Sequence, residues 1–110
     1  MGTNYYLITD VCKYCRRRDK IHLGKFKYGF KFLLRYDSNR YANWQGMRFY
    51  LERMIRNGSW IEDEYGRDYP LEEFIDLVEK STRTGKSNTI VDDKVLVDKD
   101  GYEFLDLDFC

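Results

Sequence analysis

Two cysteines three residues apart, Cys12 and Cys15, are followed by the only histidine of the chain, His22. Thiolates at that spacing on a tight turn can share one tetrahedral zinc ion, and an imidazole from an adjacent strand can supply a third ligand. The remaining cysteine, Cys110, is the soft-donor candidate for the fourth position, with Asp10, Asp19 or a water as harder oxygen alternatives. This pattern predicts a structural zinc knuckle. The competing reading is a pair of ordinary small side chains beside a hydrogen-bonded histidine. Thioredoxin-like redox chemistry ranks below both, because it needs the cysteine pair at the start of a helix, where the dipole lowers the thiol pKa. The residues after Cys15 are instead Arg16, Arg17, Arg18, Asp19 and Lys20, leading into a strand-like run.

The same region is basic and aromatic. Arg16, Arg17 and Arg18, with Lys20, Lys25 and Lys27, are interleaved with Tyr14, Phe26, Tyr28 and Phe30. Cations of this kind grip phosphates while aromatic rings stack on bases, or they meet an acidic protein. Further on, Glu62, Asp63 and Glu64 form an acidic run that would suit a basic partner, and it lacks the spacing of a calcium loop. Thr84-Gly85-Lys86-Ser87 imitates the end of a phosphate-binding loop, but that motif needs a glycine at position 80, where Lys80 stands. No set of nucleophile, base and oxyanion donor assembles along the chain, so a non-catalytic binding role is expected.

These residues must be positioned by a small number of elements. Asn4 to Thr9 reads as a strand running into the cysteine pair, and Ile21 to Lys25 and Phe30 to Tyr36 read as two more, joined by a turn at Tyr28-Gly29. From Asn43, an N-cap, the period changes: Trp44, Met47, Leu51, Met54 and Ile55 share one helical face, and Asn57-Gly58 is a stop signal. Trp60-Ile61 suggests a short strand. Pro70, with Glu72 and Glu73 behind it, opens a second helix to about residue 82 that buries Leu71, Phe74, Ile75 and Val78. Residues 83 to 93 read as a polar loop, and a terminal hairpin follows, turning at Asp100-Gly101 into the half-buried alternation of residues 102 to 109. Strands flank both helices without regular strand-helix alternation. The fold class expected is therefore α+β, one small domain over residues 1–110 with a mainly antiparallel sheet, two helices and a CxxC knuckle.

Composition sets the outer bounds. At 110 residues the chain can build one hydrophobic core, and with 43% hydrophobic and 17% aromatic residues it has the material to do so, which excludes a disordered class. No apolar stretch suits a secretory leader or a spanning helix, so a cytoplasmic location is expected. The formal net charge of zero hides a division. Residues 1–56 hold thirteen Lys and Arg against four Asp and Glu, a net +9, whereas residues 57–110 hold six against fifteen, a net −9. Packed side by side the halves neutralise each other; facing apart, they give a basic face and an acidic face.

Met1-Gly2-Thr3-Asn4-Tyr5-Tyr6, the Cys12-x-x-Cys15 pair, His22-Leu23-Gly24-Lys25 with Gly29 and Phe30, and Asp63-Glu64-Tyr65-Gly66 together resemble a family of small phage and prophage proteins, over roughly residues 1 to 80. That family has glycine after the second cysteine, where this chain has Arg16, and many members lack a terminal cysteine such as Cys110. The resemblance implies a viral product working in the cytoplasm of an infected bacterium by binding a host or defence protein. A nucleic-acid binder acting through the basic N-terminal half is the alternative.

Overall fold

The structure, a computed structural model, describes residues 2–9, 19–37, 39–88 and 95–105. In chain order its elements are β1 (Thr3–Thr9), β2 (Asp19–Phe26), β3 (Leu33–Arg35), α1 (Trp44–Arg56), β4 (Trp60–Asp63), β5 (Asp68–Tyr69), α2 (Leu71–Thr84), β6 (Leu96–Val97) and β7 (Glu103–Leu105). The strands make one seven-stranded sheet in the order β5-β4-β1-β2-β3-β7-β6. Every neighbouring pair is antiparallel except β3 and β7. The fold is α+β with a mainly antiparallel sheet, as expected. Among the described residues no helix is long and apolar enough to cross a membrane.

Strand β1 lies inside the sheet between β4 and β2, and its side-chain period of two divides the molecule into layers. Tyr5 and Leu7 face the helices, where they join Leu23, Leu34, Ile61 and Phe104 from the other strands, Trp44, Met47 and Leu51 from α1, and Phe74 and Val78 from α2. Asn4, Tyr6 and Ile8 face the other way, opposite Lys25, His22 and Lys20 of β2. The register slips between Tyr5 and Tyr6, so that Leu23 is an extra residue in β2. This bulge sends Leu23 into the core and leaves Gly24 opposite Tyr5. A Cβ on Gly24 would lie 2.5 Å from both the Phe32 ring and the Leu33 carbonyl oxygen, and its φ is +154°, so only glycine fits.

The helices begin and end where the residue types dictate. The Asn43 side chain accepts a hydrogen bond from the Gly46 N–H at 2.8 Å, and beyond Arg56 the Gly58 φ of +102° turns the chain while Ser59 N–H donates back to the Met54 carbonyl. Helix α2 starts after Pro70, which serves as N-cap without a side-chain bond, and Glu72 and Glu73 occupy the first turn. Two expectations need correction. Residues 83 and 84 still belong to α2, and the final strand is not half-buried: Glu103, Phe104 and Leu105 are all buried. The reason is its place. It sits inside the sheet, with Phe104 under the helices and Glu103, only 1% exposed, accepting hydrogen bonds from Ser87 and Asn88 on the opposite face.

Candidate functional site

The proposed metal ligands fall into two groups. Cys12, Cys15 and Cys110 lie outside the described residues, as do Asp10, Arg16, Arg17 and Arg18. All of them except Cys110 belong to the connection between Thr9 and Asp19, the last paired positions of the β1–β2 hairpin. His22 is described. It lies opposite Tyr6 with the two rings 5.4 Å apart, and its Nε2 is 2.9 Å from Asn4 Oδ1. An amide oxygen accepts, so Nε2–H is the donor. Asn4 is farther along β1 from Thr9 than Tyr6 is, so this bond directs Nε2 away from the Thr9–Asp19 end of the hairpin. Among the described residues no three His, Cys, Asp or Glu side chains converge as a metal site.

The three expected lysines are spread along β2. Lys20, near the hairpin connection, places its Nζ 5.5 Å from the Tyr6 ring centre; Lys25 is half-buried opposite Asn4; and Lys27, just past the other end of the strand, lies 5.0 Å from the Phe30 ring centre. They do not form one patch. The acidic run is also different from the exposed face expected of it. Glu62 and Asp63 are 7% and 5% exposed. Glu62 accepts from Trp60 Nε1 at 2.5 Å, while Asp63 Oδ1 accepts from the N–H groups of Tyr65 and Arg67, each at 2.9 Å. Glu64 is exposed as a residue, yet its Oε1 accepts from the Asn4 N–H at 2.8 Å. These carboxylates build the β4–β5 turn and tie it to β1, because a buried carboxylate must be paired or hydrogen-bonded.

An apolar concavity lies elsewhere, where the β2–β3 turn meets the end of α2. Phe26, Tyr28, Phe30, Leu77, Lys80 and Thr84 help to line a groove of about 540 Å³, and Tyr28 at its lip is 93% exposed. Among the described residues no carboxylate lines it, and Lys80 gives it positive charge. The groove is held open by the segment that resembled a phosphate loop. Lys86 N–H donates to the Gly29 carbonyl and Lys31 N–H to the Lys86 carbonyl, each at 2.9 Å. Gly85 is pressed so close to the turn that a Cβ there would lie 2.4 Å from the Phe30 carbonyl carbon. Residues 84 to 87 thus strap the helix end to the turn. Sequence reasoning named Phe26, Lys27, Tyr28 and Phe30, but it missed Leu77 and Lys80 as their neighbours, since about fifty positions separate them.

A second concavity, of about 470 Å³, lies on the outer side of α1 and is lined by Arg40, Gly46, Phe49, Glu52, Arg53 and Arg56, among others. Sequence reasoning passed over it. The available signal was Phe49, an aromatic residue off the apolar stripe of its helix, and it is 74% exposed. Arg48, next to it, is spoken for: with Trp44 Nε1 it donates to Glu79 of α2, at 3.2 and 3.1 Å. Comparison of the chain with protein-family models, curated proteins and solved structures gives no match.

Proposed function

We propose that this protein is a small non-catalytic binding domain that acts in the cytoplasm of an infected bacterial cell by docking on a host or defence protein. The observation that carries the reading is the basic, aromatic-walled groove between the β2–β3 turn and α2. An apolar recess with an exposed tyrosine at its lip is the anatomy of a docking pocket for a protein side chain. Among the described residues the one charged group that lines it, Lys80, is cationic, so the matching segment is an apolar anchor flanked by Asp or Glu. The buried carboxylates described above are engaged in holding the fold together, which leaves surface complementarity as the chemistry the described residues offer.

A zinc knuckle of Cys12, Cys15, His22 and Cys110 belongs to this reading as a structural part. The donor set, thiolates with an imidazole, suits zinc. The His22 geometry is compatible in one way: with Nε2–H donating to Asn4, ligation would fall to Nδ1, and metal-bound histidines characteristically donate their other N–H to an oxygen.

The test is capture from infected-cell lysate, with and without nuclease, by the intact protein and by Tyr28→Ala and Lys80→Glu variants. The expected result is a protein retained after nuclease treatment by the parent and lost from both variants, each of which keeps its melting temperature because it alters an exposed residue. Retention that disappears with nuclease, or that survives both substitutions, refutes the reading.

A further inference from the structure

The concavity on α1 shares no residue with the groove. Helix α1 already buries Trp44, Met47 and Leu51 on its inner side, so nothing in folding calls for an apolar ring on the outer side. Phe49 nevertheless stands there 74% exposed, an apolar ring left in water that burial would favour. Arg53 and Arg56 follow it by four and seven positions, the spacing that puts all three on one helix face. Both arginines are exposed, and neither side chain has a hydrogen-bond or ion-pair partner among the described residues. Their place in the last turn stabilises the helix dipole, but it does not require a ring beside them. Gly46 adds a second observation. It is a helical glycine with no positive φ, and a Cβ there would meet nothing nearer than 3.4 Å, so an alanine would fit and would favour the helix. What glycine does provide is depth, because it lines the same concavity.

We infer that this face binds single-stranded nucleic acid, stacking one unpaired base on Phe49 and holding the neighbouring phosphates with Arg53 and Arg56. Aromatic rings beside arginines are the recurrent platform for single strands, since every base presents a π-face and the guanidinium fork matches a phosphate. Duplex is disfavoured because its bases are already stacked. Glu52, which also lines the site, distinguishes a nucleic acid from an acidic protein. Its carboxylate repels phosphates as it repels Asp and Glu side chains, but it can accept a hydrogen bond from the amino group of a base, a donor that an acidic side chain lacks. RNA and DNA share all of this chemistry, and the 2′-hydroxyl alone separates them.

The experiment is fluorescence anisotropy of the full chain with labelled mixed-sequence RNA and DNA strands of about 12 nucleotides, within the usual footprint of such sites. Saturable binding that weakens with salt is expected. Phe49→Ala should weaken it about tenfold, the usual effect of losing one stacked base. Arg53→Gln with Arg56→Gln should weaken it and lower the slope of log affinity against log salt by about 1.4, two single-strand phosphate contacts. All three residues are exposed, so the melting temperature should hold. Lys80→Glu, in the groove, should leave oligonucleotide affinity unchanged while it abolishes protein capture, so the two readings fail separately. The inference is overturned if neither RNA nor DNA binds, if Phe49→Ala leaves affinity intact, if Lys80→Glu weakens binding as much as the arginine changes, or if polyglutamate displaces the strand as well as unlabelled oligonucleotide does.

Discussion

Asp63 illustrates how a residue that looks like surface charge is committed to architecture. Its carboxylate satisfies two backbone N–H groups of the turn that follows it, and Gly66 completes that turn with a φ of +80°. Removing the acceptor leaves both donors without their partner, so Asp63→Ala should cost about 1 to 3 kcal/mol in urea unfolding, whereas Asp63→Asn, which keeps an acceptor oxygen, should recover most of it. His22 carries a prediction of the same scale. If the knuckle binds zinc, the purified chain holds about one equivalent by elemental analysis, and Cys12→Ser or a strong chelator lowers its melting temperature, because metal binding contributes to folding. An unchanged melting curve with no metal present would remove the knuckle from the functional reading.

Helix α1 shows how one element serves two purposes. Its inner stripe inserts Trp44, Met47 and Leu51 among the sheet side chains, and its outer stripe presents Phe49 and the arginines. Leu51 is fully buried. Leu51→Ala should therefore destabilise the protein by about 2 to 5 kcal/mol, as the lost contacts add to the cavity left behind. Denaturant titration checks this, and a change below about 0.5 kcal/mol would mean that the helix does not seat on the sheet as described. The strap after α2 works in the opposite manner, stabilising by close backbone approach. A methyl group at Gly85 has no room against Phe30, so a substitution there would pry the helix end from the turn and close or distort the groove.

For the molecule as a whole, buried tyrosines set an alkaline limit. Tyr5 and Tyr41 are held well above the ordinary tyrosine value of 10.0, both chiefly by burial, and Tyr5 also by its hydrogen bond with Tyr69. A folded-state pKa above the unfolded one means that the folded chain keeps a proton the unfolded chain releases. The associated stability is complete below about pH 10 and is lost as the pH rises above it, at up to about 1.4 kcal/mol per pH unit for each tyrosine. Thermal melts from pH 8 to 11 should show a flat region and then a fall that begins near pH 10, and Tyr41→Phe should reduce the fall. The charge division has a similarly collective answer. Strands from the acidic half flank those from the basic half on both sides of the sheet, and Arg48 pairs with Glu79 across the two helices at 3.2 Å. Among the described residues, strands of the acidic half thus lie on either side of the strands of the basic half.

The α+β class, both helices with their inner faces, the Asn43 cap of α1, the turns at Gly29 and Gly101, and the terminal hairpin were all legible in the residue order, because each depends on local periodicity and on side chains within a few positions. Other features depend on neighbours far apart in the chain. The parallel pairing of β3 with β7, which buries the last described strand on both faces, could not be read from an alternating pattern that suits an exposed strand equally well. Residues 62 to 64 carried charge but no sign of burial; only the packing of β4 against β1 made those carboxylates internal. Likewise, Tyr28 and Phe30 were visible as aromatics among lysines, yet a groove exists there only because α2 returns from fifty residues away and is strapped to the turn. Local sequence sets conformational preference. Concavity, burial and charge neutralisation arise from contacts across the fold.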